Sequence, residues 1–143
     1  MVIQFKKQIK ALIEIEAQKI RTWAVKANNG SKNMTNWCVT CSYLIFKKLS
    51  KLNLEPEFCT VSFWGGSHAF IYCHGFIVDV TSTQFDRMRK KVVVMENDGI
   101  HKKAFWNLAF AERFKTIEAV EEHLKLWSPE CNPRTKFRFQ KCC

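Results

Sequence analysis

The stretch Ser67–Thr81, SHAFIYCHGFIVDVT, decides the fold. Two runs rich in β-branched and aromatic residues flank His74-Gly75, a dipeptide suited to a tight turn, so the stretch reads as a β-hairpin. Side chains alternate between the two faces of a strand. With His74 and Gly75 in the turn, residue 68 pairs with 81 and residue 70 with 79, which puts His68, Phe70, Tyr72, Ile77, Asp79 and Thr81 on one face. His68 and Asp79 are then diagonal neighbours, roughly 7 to 8 Å apart at the backbone and within side-chain reach. Moving the turn to Cys73 and His74 would set the two directly opposite, still on the same face. The other face, Ala69, Ile71, Cys73, Phe76, Val78 and Val80, is apolar throughout. A hairpin apolar on one side and largely so on the other belongs in the middle of a sheet.

Upstream, WCVTCSYLIFKKL (Trp37–Leu49) has helical periodicity: Cys38, Cys41, Ser42, Ile45 and Leu49 share one side, which faces the interior. Thr35 or Asn36 suits the N-cap, placing Cys38 in the first turn. A helix start is one of the environments that favours a thiolate. The small Ser42 one turn on leaves room beside the sulfur. A thiol, an imidazole and a carboxylate in this chain order can serve as nucleophile, base and orienting group.

NWCVTCSYLIFKKL (Asn36–Leu49) followed by GGSHAFIYCHGFIVDVTSTQF (Gly65–Phe85) resembles the core of the papain-like and transglutaminase-like cysteine hydrolases. In that superfamily a helix-initial Cys is followed by a strand His and an Asp on the next strand. The form seen here is similar to small bacterial and phage members, and the likeness runs from Asn33 to Phe85. It implies an α+β fold in which N-terminal helices, with the catalytic Cys at a helix start, pack on an antiparallel sheet carrying His and Asp. It also implies an acyl-transfer enzyme (peptidase, amidase or deamidase, or transglutaminase-like) that works through a thioester on protein or peptide substrates, without metal or cofactor. Cys38 would be the nucleophile, His68 the base and Asp79 its orienting group. The oxyanion glutamine that papain-type members carry before the Cys is missing; Asn33, Asn36 or Trp37 would have to support that function. Gly65, Gly66 and Ser67 would form a loop that lets substrate backbone approach.

Composition agrees with one domain spanning residues 1–143 and having a real apolar core, since 47% of residues are hydrophobic. No apolar run approaches the roughly 18 residues of a membrane span, and MVIQFKKQIK lacks a signal-peptide core, so a cytoplasmic protein is expected. Seven cysteines, an odd number with Cys142 and Cys143 adjacent, do not look like a disulfide framework, and reduced thiols are expected. The periodicity predicts a helix from Val2 to about Ala27 with a stripe of Ile9, Leu12, Ile13, Ile20 and Trp23. Further elements are strands at Phe58–Phe63 and Val92–Met95, a turn at Asn97–Gly99, a helix from Thr116 through Trp127 with Ala119, Val120, His123 and Trp127 on one side, and a C-terminal edge strand from Thr135.

Other chemistries use the same residues. Trp37-Cys38-Val39-Thr40-Cys41 has the spacing of a thioredoxin-like redox pair, but a polar loop precedes it where that fold has a buried strand. Cys38, Cys41, Cys73 and His74 lack the second paired spacing usual in zinc sites. The net charge of +10 suits an anionic partner. The alternative to an enzyme is therefore a non-catalytic binding or inhibitor module, of phage or bacterial origin on the same fold, whose basic surface takes that partner.

Overall fold

The computed structural model describes residues 2–34, 37–64, 66–85, 90–97 and 103–127. Among these, α1 (Val2–Ala27), α2 (Cys38–Lys51) and α3 (Ile117–Trp127) accompany five strands: β1 (Glu57–Phe63), β2 (Gly66–Cys73), β3 (Phe76–Asp79), β4 (Val93–Glu96) and β5 (Glu112–Phe114). The strands form one sheet in the order β4-β3-β2-β1-β5, with every neighbouring pair antiparallel. The architecture is α+β.

Cys73 pairs with Phe76, Tyr72 with Ile77 and Ile71 with Val78, so the turn is His74-Gly75. Both turn residues have positive φ, 50° and 84°, as a two-residue hairpin matched to the strand twist requires. β2 is the central strand, and the two sheet faces are buried under different cover. Ala69, Ile71, Cys73, Phe76, Val78 and Val80 pack with Ile13 and Ala17 of α1, Cys38, Cys41 and Phe46 of α2, and Val120 and Leu124 of α3. On the opposite face Cys59, Val61, Phe70, Ile77 and Val93 meet Trp106 and Leu108 from two short 3₁₀ turns, Ala104–Trp106 and Leu108–Phe110.

Several local expectations change. The buried side of α1 is Ile9, Ile13, Glu16, Ala17, Arg21 and Ala24, whereas Leu12 and Trp23 are exposed. The rotation admits Arg21, whose guanidinium donates to the Val80 carbonyl (2.7 Å), Thr83 Oγ1 (3.1 Å) and the Lys32 carbonyl (3.1 Å). A buried guanidinium is tolerated where its donors find acceptors. On α3 the buried positions among the described side chains are Val120 and Leu124, whereas Ala119 and His123 of the expected side are only half-buried; Thr116 accepts from the Ala119 amide at the start as its sequence suggests. β4 begins at Val93, and Asp98 and Gly99 of the expected turn lie outside the described residues. The expected C-terminal edge strand also lies outside them. One edge of the sheet is instead β5, whose three residues pair with Phe58, Cys59 and Thr60.

The apolar seam between β2 and the helices makes a stability test. Ile71 is fully buried there, so Ile71→Ala is expected to lower the unfolding free energy by about 2 to 5 kcal/mol through the cavity it leaves. Urea titration followed by circular dichroism measures this, and a loss well under that range would mean that the seam collapses around the smaller side chain.

Candidate active site

His68 and Asp79 come together because β2 and β3 pair in a register that puts both side chains on the face away from the helices. His68 Nε2 lies 2.7 Å from Asp79 Oδ2. The same carboxylate oxygen accepts the Trp106 indole N–H at 2.7 Å, and Oδ1 accepts the Thr81 amide (2.8 Å) and the Thr81 hydroxyl (3.1 Å). Burial works against the ionised Asp79 carboxyl. The attraction of His68, its hydrogen bond and those from Thr81 and Trp106 outweigh it and hold the group below the usual carboxylate range. An ionised Asp79 is acceptor-only, so the His68 Nε2 facing it donates its N–H. Facing Nδ1 at 3.3 Å is the side-chain nitrogen of Gln84.

The imidazole is 0% exposed. Phe85 meets it edge-on at 4.8 Å, Phe105 lies edge-on at 6.0 Å, and Phe70 is parallel to it at 6.2 Å. Phe85 and Phe105 stack on each other at 4.6 Å. Aromatic cover of this kind lowers the local dielectric and strengthens the imidazole-carboxylate hydrogen bond.

Cys38 is the first residue of α2 and is also 0% exposed. Trp37 stands at the N-cap position with no side-chain cap; Thr35 and Asn36, the expected caps, lie outside the described residues. Ser42 does not leave a gap: its hydroxyl donates to the Ala69 carbonyl at 3.1 Å. Phe46 meets Phe58, the strand partner of Ile71, and Leu54 just beyond the helix accepts from Cys73 Sγ. Together these contacts make α2 run beside β2 in the same direction, with its start toward the end that carries His68. Cys41, one turn into the helix, interacts electrostatically with both Asp79 and Arg21.

The thiols differ in state. Cys41, Cys59 and Cys73 are free and buried, and Cys38 is disulfide-bonded, contrary to the expectation of reduced thiols throughout. Cys41 being free, no Cys38-Cys41 redox disulfide exists. Burial pushes the Cys59 and Cys73 thiols up to about 12 and Cys41 higher still, with Asp79 adding to the rise. Among the described residues, no group of three or more His, Cys, Asp or Glu side chains converges as a metal site.

The remaining sequence candidates fall elsewhere. Trp37 is buried edge-on against Trp23 at 6.0 Å, and Asn33 is exposed in the loop before α2 with its carbonyl accepting from Asn28. Gly66 and Ser67 begin β2 beside the fully exposed Trp64, while Gly65 and Asn36 lie outside the described residues. No helix among the described residues is long and apolar enough to cross a membrane. Trp106, Arg21 and Gln84 were not singled out from the sequence. Only Gln84 had a local signal, its place five residues after Asp79. Compared with protein families, with characterised proteins and with solved structures, the chain shows no significant match.

The depressed Asp79 pKa has a thermodynamic consequence. A carboxyl whose folded-state pKa is below its unfolded value of about 3.9 stabilises the fold fully above that pH, and this contribution disappears as pH falls through the folded-state value. Asp79→Asn cannot titrate. The variant is expected to be less stable near neutrality and to lose less stability than the parent between about pH 5 and pH 2. Urea midpoints across that window measure the difference, and parallel curves would mean that Asp79 is not ionised in the folded protein.

Proposed function

We propose that the protein is a cysteine-dependent acyl-transfer enzyme with a papain-like or transglutaminase-like core. Cys38 is the nucleophile, His68 Nδ1 takes its proton, and Asp79 holds the imidazole in the tautomer that leaves Nδ1 basic. The observation that carries the reading is the buried His68-Asp79 pair, whose carboxylate accepts from His68, Thr81 and Trp106 while Nδ1 faces the Gln84 amide. The orientation of α2 supports it, because the helix start lies toward the His68 end of β2. The N-terminal end of a helix dipole favours a thiolate there, while burial suppresses the thiolates of Cys41, Cys59 and Cys73. A disulfide sulfur is not a nucleophile, so the enzyme form is the one in which Cys38 is reduced. Access to the sealed imidazole requires Phe85 and Phe105 to move aside.

After reduction and removal of the reductant, iodoacetamide at neutral pH is expected to modify Cys38 faster than Cys41, Cys59 or Cys73, with peptide mass spectrometry resolving the sites. His68→Ala should slow the Cys38 reaction alone. Equal rates at all four would overturn the reading. Turnover is sought with casein in three assays: soluble peptides report hydrolysis, ammonia reports deamidation, and an incorporated fluorescent amine reports transamidation. Cys38→Ser should keep the thermal midpoint of the reduced parent and abolish whichever activity is found. Asp79→Asn should reduce that activity by about 10²-fold or more.

A groove between α1 and α2 favours a second reading, a binding module for an anionic partner. Lys19, Lys47, Lys48 and Lys51 line it, and Glu16 is its one acidic side chain, 3.3 Å from Lys19 Nζ and 3.8 Å from Lys48 Nζ. Four ammonium groups against one carboxylate leave a net positive trough. This reading takes precedence if a fluorescent oligonucleotide binds with a steep salt dependence, Lys47→Glu with Lys51→Glu abolishes binding, and Cys38→Ser retains the protein's whole biological effect.

A further inference from the structure

An acyl transfer to sulfur needs a hydrogen-bond donor where the substrate carbonyl oxygen becomes negative, and removing such a donor typically costs 10²-fold to 10³-fold in rate. The geometry points to Gln84 as this donor: its side-chain amide supplies the oxyanion N–H that no glutamine before Cys38 provides. The assignment rests on the Cys38-His68 couple proposed above.

With Nε2 engaged by Asp79, the proton-accepting nitrogen of His68 is Nδ1, so the attacking sulfur and the carbonyl carbon it attacks must come up beside Nδ1. Gln84 Nε2 is 3.3 Å from that nitrogen. A neutral imidazole with its proton on Nε2 requires the amide to present N–H rather than its carbonyl to Nδ1. The second amide hydrogen points to Thr81 Oγ1 at 3.3 Å, and the Thr81 hydroxyl in turn donates to Asp79 Oδ1. The amide is therefore oriented by the same carboxylate that orients the imidazole.

Its backbone is held as well. Gln84 ends the 3₁₀ turn Ser82–Gln84, with its amide donating to the Thr81 carbonyl at 3.1 Å. Arg21 pins the segment at Val80 and Thr83, and Thr83 itself donates to the Lys32 carbonyl at 3.0 Å. Unlike His68, Gln84 is only half-buried, so its side chain borders the solvent from which a substrate arrives. When the sulfur takes the place beside Nδ1, the amide hydrogen released from the ring has the developing oxyanion as its acceptor.

Two reagents separate this role from thiolate formation. With 4-nitrophenyl acetate, the Cys38 thiol gives its proton to His68 Nδ1, a C–S bond forms at the carbonyl carbon and the carbonyl electron pair moves to oxygen. That pair then returns to re-form the carbonyl as 4-nitrophenolate leaves, giving an acetyl thioester. With iodoacetamide the same thiolate displaces iodide at a saturated carbon and no oxyanion arises. In the reduced protein, initial rates of both modifications at Cys38 are to be measured by mass spectrometry for the parent, Gln84→Ala, the similarly shaped Gln84→Met, and His68→Ala. Both Gln84 variants are expected to slow acetylation about 10²-fold while leaving alkylation within about threefold of the parent. Acetylation unaffected in Gln84→Met, or acetylation and alkylation reduced together, would overturn the assignment of Gln84. Indifference of both reactions to His68→Ala would show instead that the Cys38-His68 couple is wrong, and the inference would fall with it.

Discussion

The buried carboxylate of Asp79 is the constraint around which this molecule is arranged. It accepts four hydrogen bonds, from His68 on β2, from the backbone and side chain of Thr81 beyond β3, and from Trp106 in the 3₁₀ turn that covers the sheet. Leaving such a group underbonded in a low-dielectric interior is costly, so the segments that bring donors to it are bound together by that need. Arg21 on α1 lies on the other side of the same region and ties the chain that follows β3 to the helix layer. Removing Asp79 would take away the carboxylate oxygen that both the Trp106 indole and the His68 Nε2–H donate to, which is why substitution there is expected to cost stability.

The two faces of the hairpin divide the work. One is a dry seam against three helices, where Ala69 is small enough for the Ser42 hydroxyl to reach its carbonyl. The other carries His68 and Asp79 under aromatic cover from Phe85, Phe105 and Trp106. The start of α2 lies toward the His68 end of β2, with Cys38 in the seam on the helix side of the sheet and His68 on the face turned away from it. The basic groove opens between the two N-terminal helices, outside the seam, so its lysines are built independently of the imidazole-carboxylate pair.

The thiols show how environment separates identical side chains. Cys41, Cys59 and Cys73 fill core positions, and burial, joined at Cys41 by the charge of Asp79, makes their thiolates inaccessible near neutrality. Cys38 differs in position, at the first residue of a helix, and in state, being oxidised.

What the amino-acid order determined alone was what depends on near neighbours. Strand parity within Ser67–Thr81 requires His68 and Asp79 to share a face in either turn register. The spacing of Cys38, Cys41, Ser42, Ile45 and Leu49 puts them on one helix side, and all five are buried, although Val39, Thr40, Tyr43 and Phe46 are buried too, so the sheet and the other helices enclose more than that side. These patterns are legible because their periods, 2 and 3.6, are set by local backbone geometry. The tertiary structure alone decided which partners complete the site. Trp106 reaches Asp79 across 27 residues and Arg21 reaches Thr83 across 62. β5 exists only because β1 offers it an open edge. Arg21 sits on α1 where the periodicity would have it solvated, and it is buried because three acceptors from distant segments converge on it. A hydrogen-bond donor buried for the sake of an acceptor far along the chain leaves no periodic trace in its own segment, so only the folded chain reveals it.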